Sequence, residues 1–385
     1  MIYQSDSNLV IIGSGMAGYT LLRELRKLDK DQTITLICDD AGDFYSKPML
    51  SNALAQNKTP DQLVTLAAEA MVAGQQFELV ANTLVDSIDP MQKQVRAGDR
   101  SWNYDHLVLA TGANPVAPPM QGDASDTVIT VNHLDDYRLF RQKLAGAQRV
   151  AIIGPGLIGC EFANDLASQH IACSVIGPDP WPLSALLPES AGRLLQQKLE
   201  KHSVEFHLGT TVRAIDHAAD GLRLTLETQQ QIDADCVLSA IGLRPNTRLA
   251  LDAGLEVQRG IVCDRMLATS DSSIYALGDC AEVNGYNLPY IMPIMHGARA
   301  LAKTLSGQPT EVSYPVMPVA IKTPACPLVV APAADAGSTS DETTVDQDGV
   351  KVTYHATDGS LQGFVLAGDK VSEKQALARE LPKLF

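Results

Sequence analysis

Two stretches of the chain repeat one design. NLVIIGSGMAGYTLLREL begins at Asn8, and RVAIIGPGLIGCEFANDL begins at Arg149. Each is a short apolar run, then G-x-G-x-x-G, then apolar residues at helical spacing. The spacing predicts strands at 9–12 and 150–153 and helices over about 16–28 and 157–168. In each motif the first glycine (Gly13, Gly154) permits a tight turn. The second (Gly15, Gly156) lets the backbone approach a pyrophosphate, and the third (Gly18, Gly159) lets helix pack on strand. The free N–H groups and partial positive charge of the helix N-terminus then face the phosphates. One such motif is weak evidence; two, each after a buried strand and about a domain length apart, predict two dinucleotide-binding units.

An acid at the end of the following strand would bind an adenosine ribose. In the first unit TITLIC leads to Asp39, at the ~20-residue offset expected from Gly18. In the second unit the corresponding position is Gly177, and Asp179 follows two residues later in GPDPWPL. Asp179 either reaches the ribose or serves the loop. No arginine follows this strand to receive a 2′-phosphate, so NADH is expected over NADPH.

Further apolar strands return the chain across the sheets: HLVLATGANP, DCVLSAIGLRPN and SSIYALGDCAEV. YIMPIMHGARALAKTL reads as a helix with proline in its first turn. Beyond about residue 313 the character changes. PVMPVAIKTPACPLVVAP is extended, STSDETTVDQDG is a polar loop or hairpin tip, and VKVTYHA and LQGFVLAG are strands. A closing helix follows, with Ser372 and Gln375 spaced as a capping box. The expected fold class is α/β: two Rossmann-like units plus a small C-terminal α+β domain.

The net charge of −15 argues against nucleic acid and against anionic membranes, because both require a basic face. No apolar run is long enough to span a bilayer, so no membrane insertion is expected. The seven cysteines show no C-x-x-C and no metal-finger spacing, which suits a reducing compartment. With the polar N-terminus MIYQSDSN, they lead us to expect a cytoplasmic protein. The histidines have no ligand spacing, and no metal site is expected.

In order along nearly the whole chain, GSGMAG with Asp39, ATGANP, GPGLIGCE, AIGLRPN and IYALGDCAE resemble the two-dinucleotide-domain flavoprotein reductases, the FAD-dependent pyridine nucleotide-disulfide oxidoreductase-like family. FYSKPMLS and PVAIKTP further resemble its rubredoxin–NAD reductase branch. Related ferredoxin reductases carry a similar R-P-P-L-S-K. Here that phrase reads KPMLSN, with Lys47 for the arginine and Asn52 for the final lysine.

The resemblance implies a discontinuous FAD-binding domain (1–113 and 241–313), an NAD(P)H-binding domain (114–240) and a C-terminal domain (314–385) capping the flavin. It implies that Ser14, Gly15, Met16 and Ala17 contact the FAD pyrophosphate, that Val85 holds the adenine through its backbone and that Asp279 binds the ribityl chain. It places Ile291 and the helix N-terminus behind it at the flavin, with that helix dipole stabilising negative charge on the reduced ring. Lys47, Pro48, Ala110, Thr111, Gly112 and Gly242 join the cofactor-binding set. Glu161 would lie near nicotinamide and flavin, although a carboxylate on a first helical turn also suits the dipole alone. Lys322, the only charge in PVMPVAIKTPACPLVV, is either snorkelling or a flavin contact. Lys47, Glu161 and Lys322 are the candidate catalytic residues.

The implied activity is hydride transfer from NADH to tightly bound FAD, then single-electron transfer to rubredoxin or a similar small carrier protein. Relatives that relay electrons through cysteine carry it where this chain has Lys47. No relay is therefore expected there, and electrons would leave from the flavin edge. Lys47, Arg299, Lys303 and Lys322 are candidates for a basic docking rim. Alternatives are a ferredoxin or flavorubredoxin reductase, an NADH oxidase, or a nucleotide-binding redox sensor without turnover.

Overall fold

The computed structural model describes residues 3–333 and 339–385. The chain divides into two compact units, each assembled from separate stretches. The first comprises residues 1–47, 64–114 and 243–314; the second comprises 48–63, 115–242 and 315–385.

In the first unit, strand Tyr3–Ile12 lies between Ile34–Ile37 and Arg100–Leu109, parallel to both. Glu78–Val80 extends the sheet beyond Ile34–Ile37, and Ile274–Ala276 adds to the end of Arg100–Leu109. Leu9, Val10 and Ile11 are fully buried, as are Leu107, Val108 and Leu109 opposite. Continuous apolar runs are what a parallel strand covered on both faces requires. Helix Met16–Leu28 buries Ala17, Leu21, Leu22 and Leu25 at helical spacing and packs against helix Ile291–Leu305.

The second unit carries a five-stranded parallel sheet in the order Ile129–Thr130, Cys236–Ser239, Arg149–Ile153, Ala172–Gly177, Val204–Leu208. Helix Leu157–Ala167 follows the central strand, and its residues 159–167 are all buried. The C-terminal stretch forms a five-stranded antiparallel sheet in the order Val319–Ile321, Leu328–Ala331, Leu361–Gly368, Gly349–His355, Thr339–Val345. Helix Glu189–Glu200 packs against Gly349–His355 and Leu361–Gly368 of this sheet.

One local expectation holds in part and another fails. Of the stretch read as a polar loop or hairpin tip, Thr339–Val345 is an edge strand that forms a hairpin with Gly349–His355. Its polarity is that of a strand at the sheet margin, where charge discourages further pairing. The C-terminal capping box does not form: the helix is only Lys374–Ala378, preceded by a 3-10 turn over Asp369–Glu373. Ser372 Oγ donates to the Asp369 carbonyl at 3.0 Å instead of capping. Residues 48–63, carried with the first domain in the sequence reading, cluster with the second unit, as do residues 315–385.

Candidate functional site

The first glycine motif forms a cradle. Gly13 has φ +117°, and a Cβ there would collide with the Ala110 carbonyl oxygen. A Cβ on Gly18 would collide with the Gly13 carbonyl oxygen, so helix and turn touch backbone to backbone. Gly15, the residue before helix Met16–Leu28, faces open space: nothing lies within 4 Å of a Cβ built on it. A close approach is thus kept clear where a pyrophosphate would meet the helix N-terminus, and the residues present fit the group.

Ser14 is buried and donates its Oγ proton to Asp40 Oδ1 at 2.7 Å. The same oxygen accepts the Gly42 N–H at 2.9 Å. Asp39 is exposed just beyond strand Ile34–Ile37. The acid tied to the cradle is therefore Asp40, which the sequence reading passed over; two adjacent aspartates give no sequence signal that separates their roles.

Asn246 clasps the ATG turn. Its N–H donates to the Gly112 carbonyl at 2.9 Å, and its Nδ2 to the Thr111 carbonyl at 3.0 Å. Thr111 Oγ1 returns a bond to the Asn246 carbonyl at 2.9 Å. Asp279 is half-buried, and burial raises its carboxyl above the ordinary range while the Lys47 charge pulls it down. Gly278, beside it, is close enough that a Cβ would come 2.9 Å from Ala17 Cβ. Val85 is buried, and Ile291 opens helix Ile291–Leu305 with 42% exposure. Pro48 is half-buried.

In the second unit Gly154, Gly156 and Gly159 repeat the cradle, again with open space before the middle glycine. Gly242 is exposed, with φ +111°. Asp179 accepts the Ser184 hydroxyl at 2.5 Å.

Glu161 is not the first-turn carboxylate expected. It lies one turn further in and is only 2% exposed. Three donors converge on it: Ser51 Oγ at 2.6 Å, the Lys322 N–H at 2.9 Å, and the Lys322 ammonium. A buried carboxylate requires such pairing. It also settles how Lys322 sits: both its backbone and its ammonium are committed to Glu161.

The same helix continues the pattern. Asn164 Oδ1 accepts the Ala325 N–H at 3.0 Å. The Asp165 carboxylate accepts the N–H groups of Leu54 and Ala55 at 3.0 and 2.8 Å. Burial raises the Asp165 carboxyl, against the pull of these two bonds and of Arg141 and Lys322. Ser51, Asn164 and Asp165 went unremarked in the sequence. The signal was present: in EFAND, Glu161 and Asp165 are four residues apart and share a helix face.

Of the four cations considered for a basic rim, Lys322 pairs with Glu161, and Arg299 faces Glu24 at 4.0 Å. All seven cysteines are buried and unpaired. The Cys280 thiol donates to the Leu109 carbonyl at 3.3 Å, and burial raises it above the ordinary thiol range. Among the described residues no cluster is suited to a metal ion, and no helix is long and apolar enough to cross a membrane.

A fold of two dinucleotide units with these cradles defines a flavoprotein reductase class. The chain belongs to the pyridine nucleotide-disulphide oxidoreductase family, whose model matches residues 7–303. Residues 311–381 match a second model, the rubredoxin binding C-terminal domain. The chain is 45% identical to the rubredoxin-NAD(+) reductase of Alcanivorax borkumensis, covering 98% of this chain and 99% of that one. It is 46% identical to the rubredoxin-NAD(+) reductase of Acinetobacter baylyi, covering 98% of each. Among solved structures, putidaredoxin reductase in its covalent complex with putidaredoxin superposes with a TM-score of 0.88 at 26% identity, over 98% of this chain and 94% of that one.

Proposed function

We propose that this protein is an NADH-dependent FAD enzyme that reduces rubredoxin, working in the cytoplasm. Bound FAD supplies the conversion between hydride chemistry and single-electron transfer. Gly13–Gly18 cradles its pyrophosphate on a helix N-terminus, with Asp40 bracing Ser14 and Asp39 free to meet the ribose. Val85 backs the adenine, and the Thr111–Gly112 turn is fixed by Asn246. Asp279 takes the ribityl chain, and Lys47 supplies the nearby positive charge. Ile291 and the N-terminus of its helix set a positive dipole end toward the ring. Gly154, Gly156 and Gly159 cradle NADH. Glu161 and Lys322 hold each other, and through Ser51 and the Lys322 backbone they fix two chain segments beside the helix that follows that cradle.

One observation carries this reading. By the family resemblance Lys47 stands where cysteine-relay relatives keep their thiol, and every cysteine of the chain is buried and unpaired. A protonated thiol of that kind is inert. Electrons that arrive from NADH therefore have no thiol to pass through. Unpaired cysteines also support a reducing compartment. Rubredoxin as the acceptor is supported by the matched C-terminal domain and by the names of the relatives.

The test is anaerobic turnover with purified rubredoxin. Rubredoxin bleaching that requires both NADH and this protein is expected. NADH oxidation at a rate indifferent to rubredoxin would overturn the acceptor assignment.

A further inference from the structure

Residues 48–63 interrupt the first unit in sequence but cluster with the second. They are not a loose excursion, because Leu50, Ser51, Ala53 and Leu54 are all buried. Lys47–Asn52 forms a short 3-10 stretch kinked at Ser51. The turn behind it closes on itself: the Asn57 N–H donates to the Leu54 carbonyl and the Lys58 N–H to the Ala53 carbonyl, both at 2.9 Å.

Asp165 anchors this segment. Only 1% exposed, it accepts the Ala55 N–H on Oδ1 at 2.8 Å and the Leu54 N–H on Oδ2 at 3.0 Å. One acid thus takes two adjacent amides, which requires two acceptor oxygens. An asparagine would turn its own NH2 toward one of those amides and lose that bond. Arg141, on helix Leu134–Lys143, donates to the Lys58 carbonyl at 2.8 Å and braces the end of the same turn. A buried carboxylate is a costly way to hold a segment, and an apolar residue would pack it at less cost. What the two-point bond adds is a fixed register.

At the other end of the segment stands Lys47, whose charge pulls the Asp279 carboxyl down. Pro48 makes the join stiff: its ring locks its own φ and restricts the backbone of the residue before it. We infer that Asp165 is a positioning residue for the redox step: by anchoring Leu54 and Ala55 it fixes where the Lys47 charge stands, and so tunes the reduction potential of bound FAD. This rests on the reading of Lys47 as the positive charge beside the FAD. A cation held in place favours the negatively charged reduced form and raises the potential. A cation that can swing into solvent is screened and raises it less.

Equilibrium dye titration of the holoprotein reads the FAD potential without NADH or rubredoxin, and hydrogen exchange over residues 50–58 reads the anchor. Asp165→Asn should speed that exchange about tenfold or more. It should also lower the FAD potential, by less than Lys47→Met does. The double variant should show the potential of Lys47→Met alone. Arg141→Gln frees only the far end of the turn and should move both readouts the same way by smaller amounts; it is the deciding variant if Asp165→Asn does not fold. Faster exchange with an unchanged potential would make Asp165 a purely structural anchor and overturn the inference. So would a shift by Asp165→Asn that persists undiminished in the Lys47→Met background. An unchanged potential in Lys47→Met itself would overturn the placement of Lys47 at the flavin, and this inference with it.

Discussion

Replacing Lys322 by methionine keeps its aliphatic stem and removes only the ammonium. Glu161 then retains the Ser51 hydroxyl and the backbone N–H of position 322 but loses its counter-charge. Removing one member of a buried pair costs about 3–5 kcal/mol, because the other charge is left desolvated. Glu161 is 2% exposed, but the Lys322 side chain is 26% exposed and leaves water a route to the site. The low end, about 3 kcal/mol, is therefore expected. Glu161→Gln removes the charge while keeping the shape, and should cost about 1.5–3 kcal/mol in charge-assisted hydrogen bonds. In the double variant no charge is stranded, so its cost should fall short of the sum by about 2 kcal/mol. Urea unfolding of the four proteins, followed by Trp181 fluorescence in the same unit, gives the coupling energy. Additivity within about 0.5 kcal/mol would refute the claim that Glu161 and Lys322 act as one buried pair.

Three further outcomes follow from the first unit. Gly15→Ala should fold normally yet lose FAD on gel filtration, since its Cβ meets only open space in the protein; full FAD retention would count against the pyrophosphate assignment. Gly18→Ala should instead lower the melting temperature of the FAD-free protein, because its Cβ meets the Gly13 carbonyl; an unshifted melt would contradict that packing. Asp279 gives a pH signature. Burial raises its carboxyl, so the native state holds that proton more tightly than the unfolded chain. Its contribution to stability should fall as pH rises from about 4 through the raised value and stay constant above. Melting of the FAD-free protein across this range should show the fall in wild type, none of it in Asp279→Asn, and a wider window in Lys47→Ala. Identical profiles for all three would remove Asp279 from the account.

The parts of this molecule legible in the sequence are those that local physics determines. The two cradles and the helix Met16–Leu28 follow from glycine spacing and helical periodicity, which need no tertiary information. Thr339–Val345 reads as part of a polar loop or hairpin tip because its polar residues follow edge-strand logic, and an edge is defined only by the sheet it borders. The Ser372–Gln375 pair satisfied a capping pattern, yet the chain enters a 3-10 turn first and Ser372 bonds backward. The Glu161 cluster joins Ser51, Glu161 and Lys322 from three distant stretches of chain, so its parts were visible while their meeting was not. Asp40 and Asn246 were missed for the same reason: each acts on a turn formed elsewhere in the sequence.

The central claim is that electrons pass from NADH through the flavin alone, with no thiol storing a second pair. Anaerobic titration of the holoprotein with NADH measures this directly. The account predicts complete bleaching of the flavin with about one NADH per FAD, full recovery of its absorbance on adding oxidised rubredoxin, and no effect of arsenite. Consumption of about two NADH per FAD, with recovery blocked by arsenite, would reveal a hidden dithiol and contradict it.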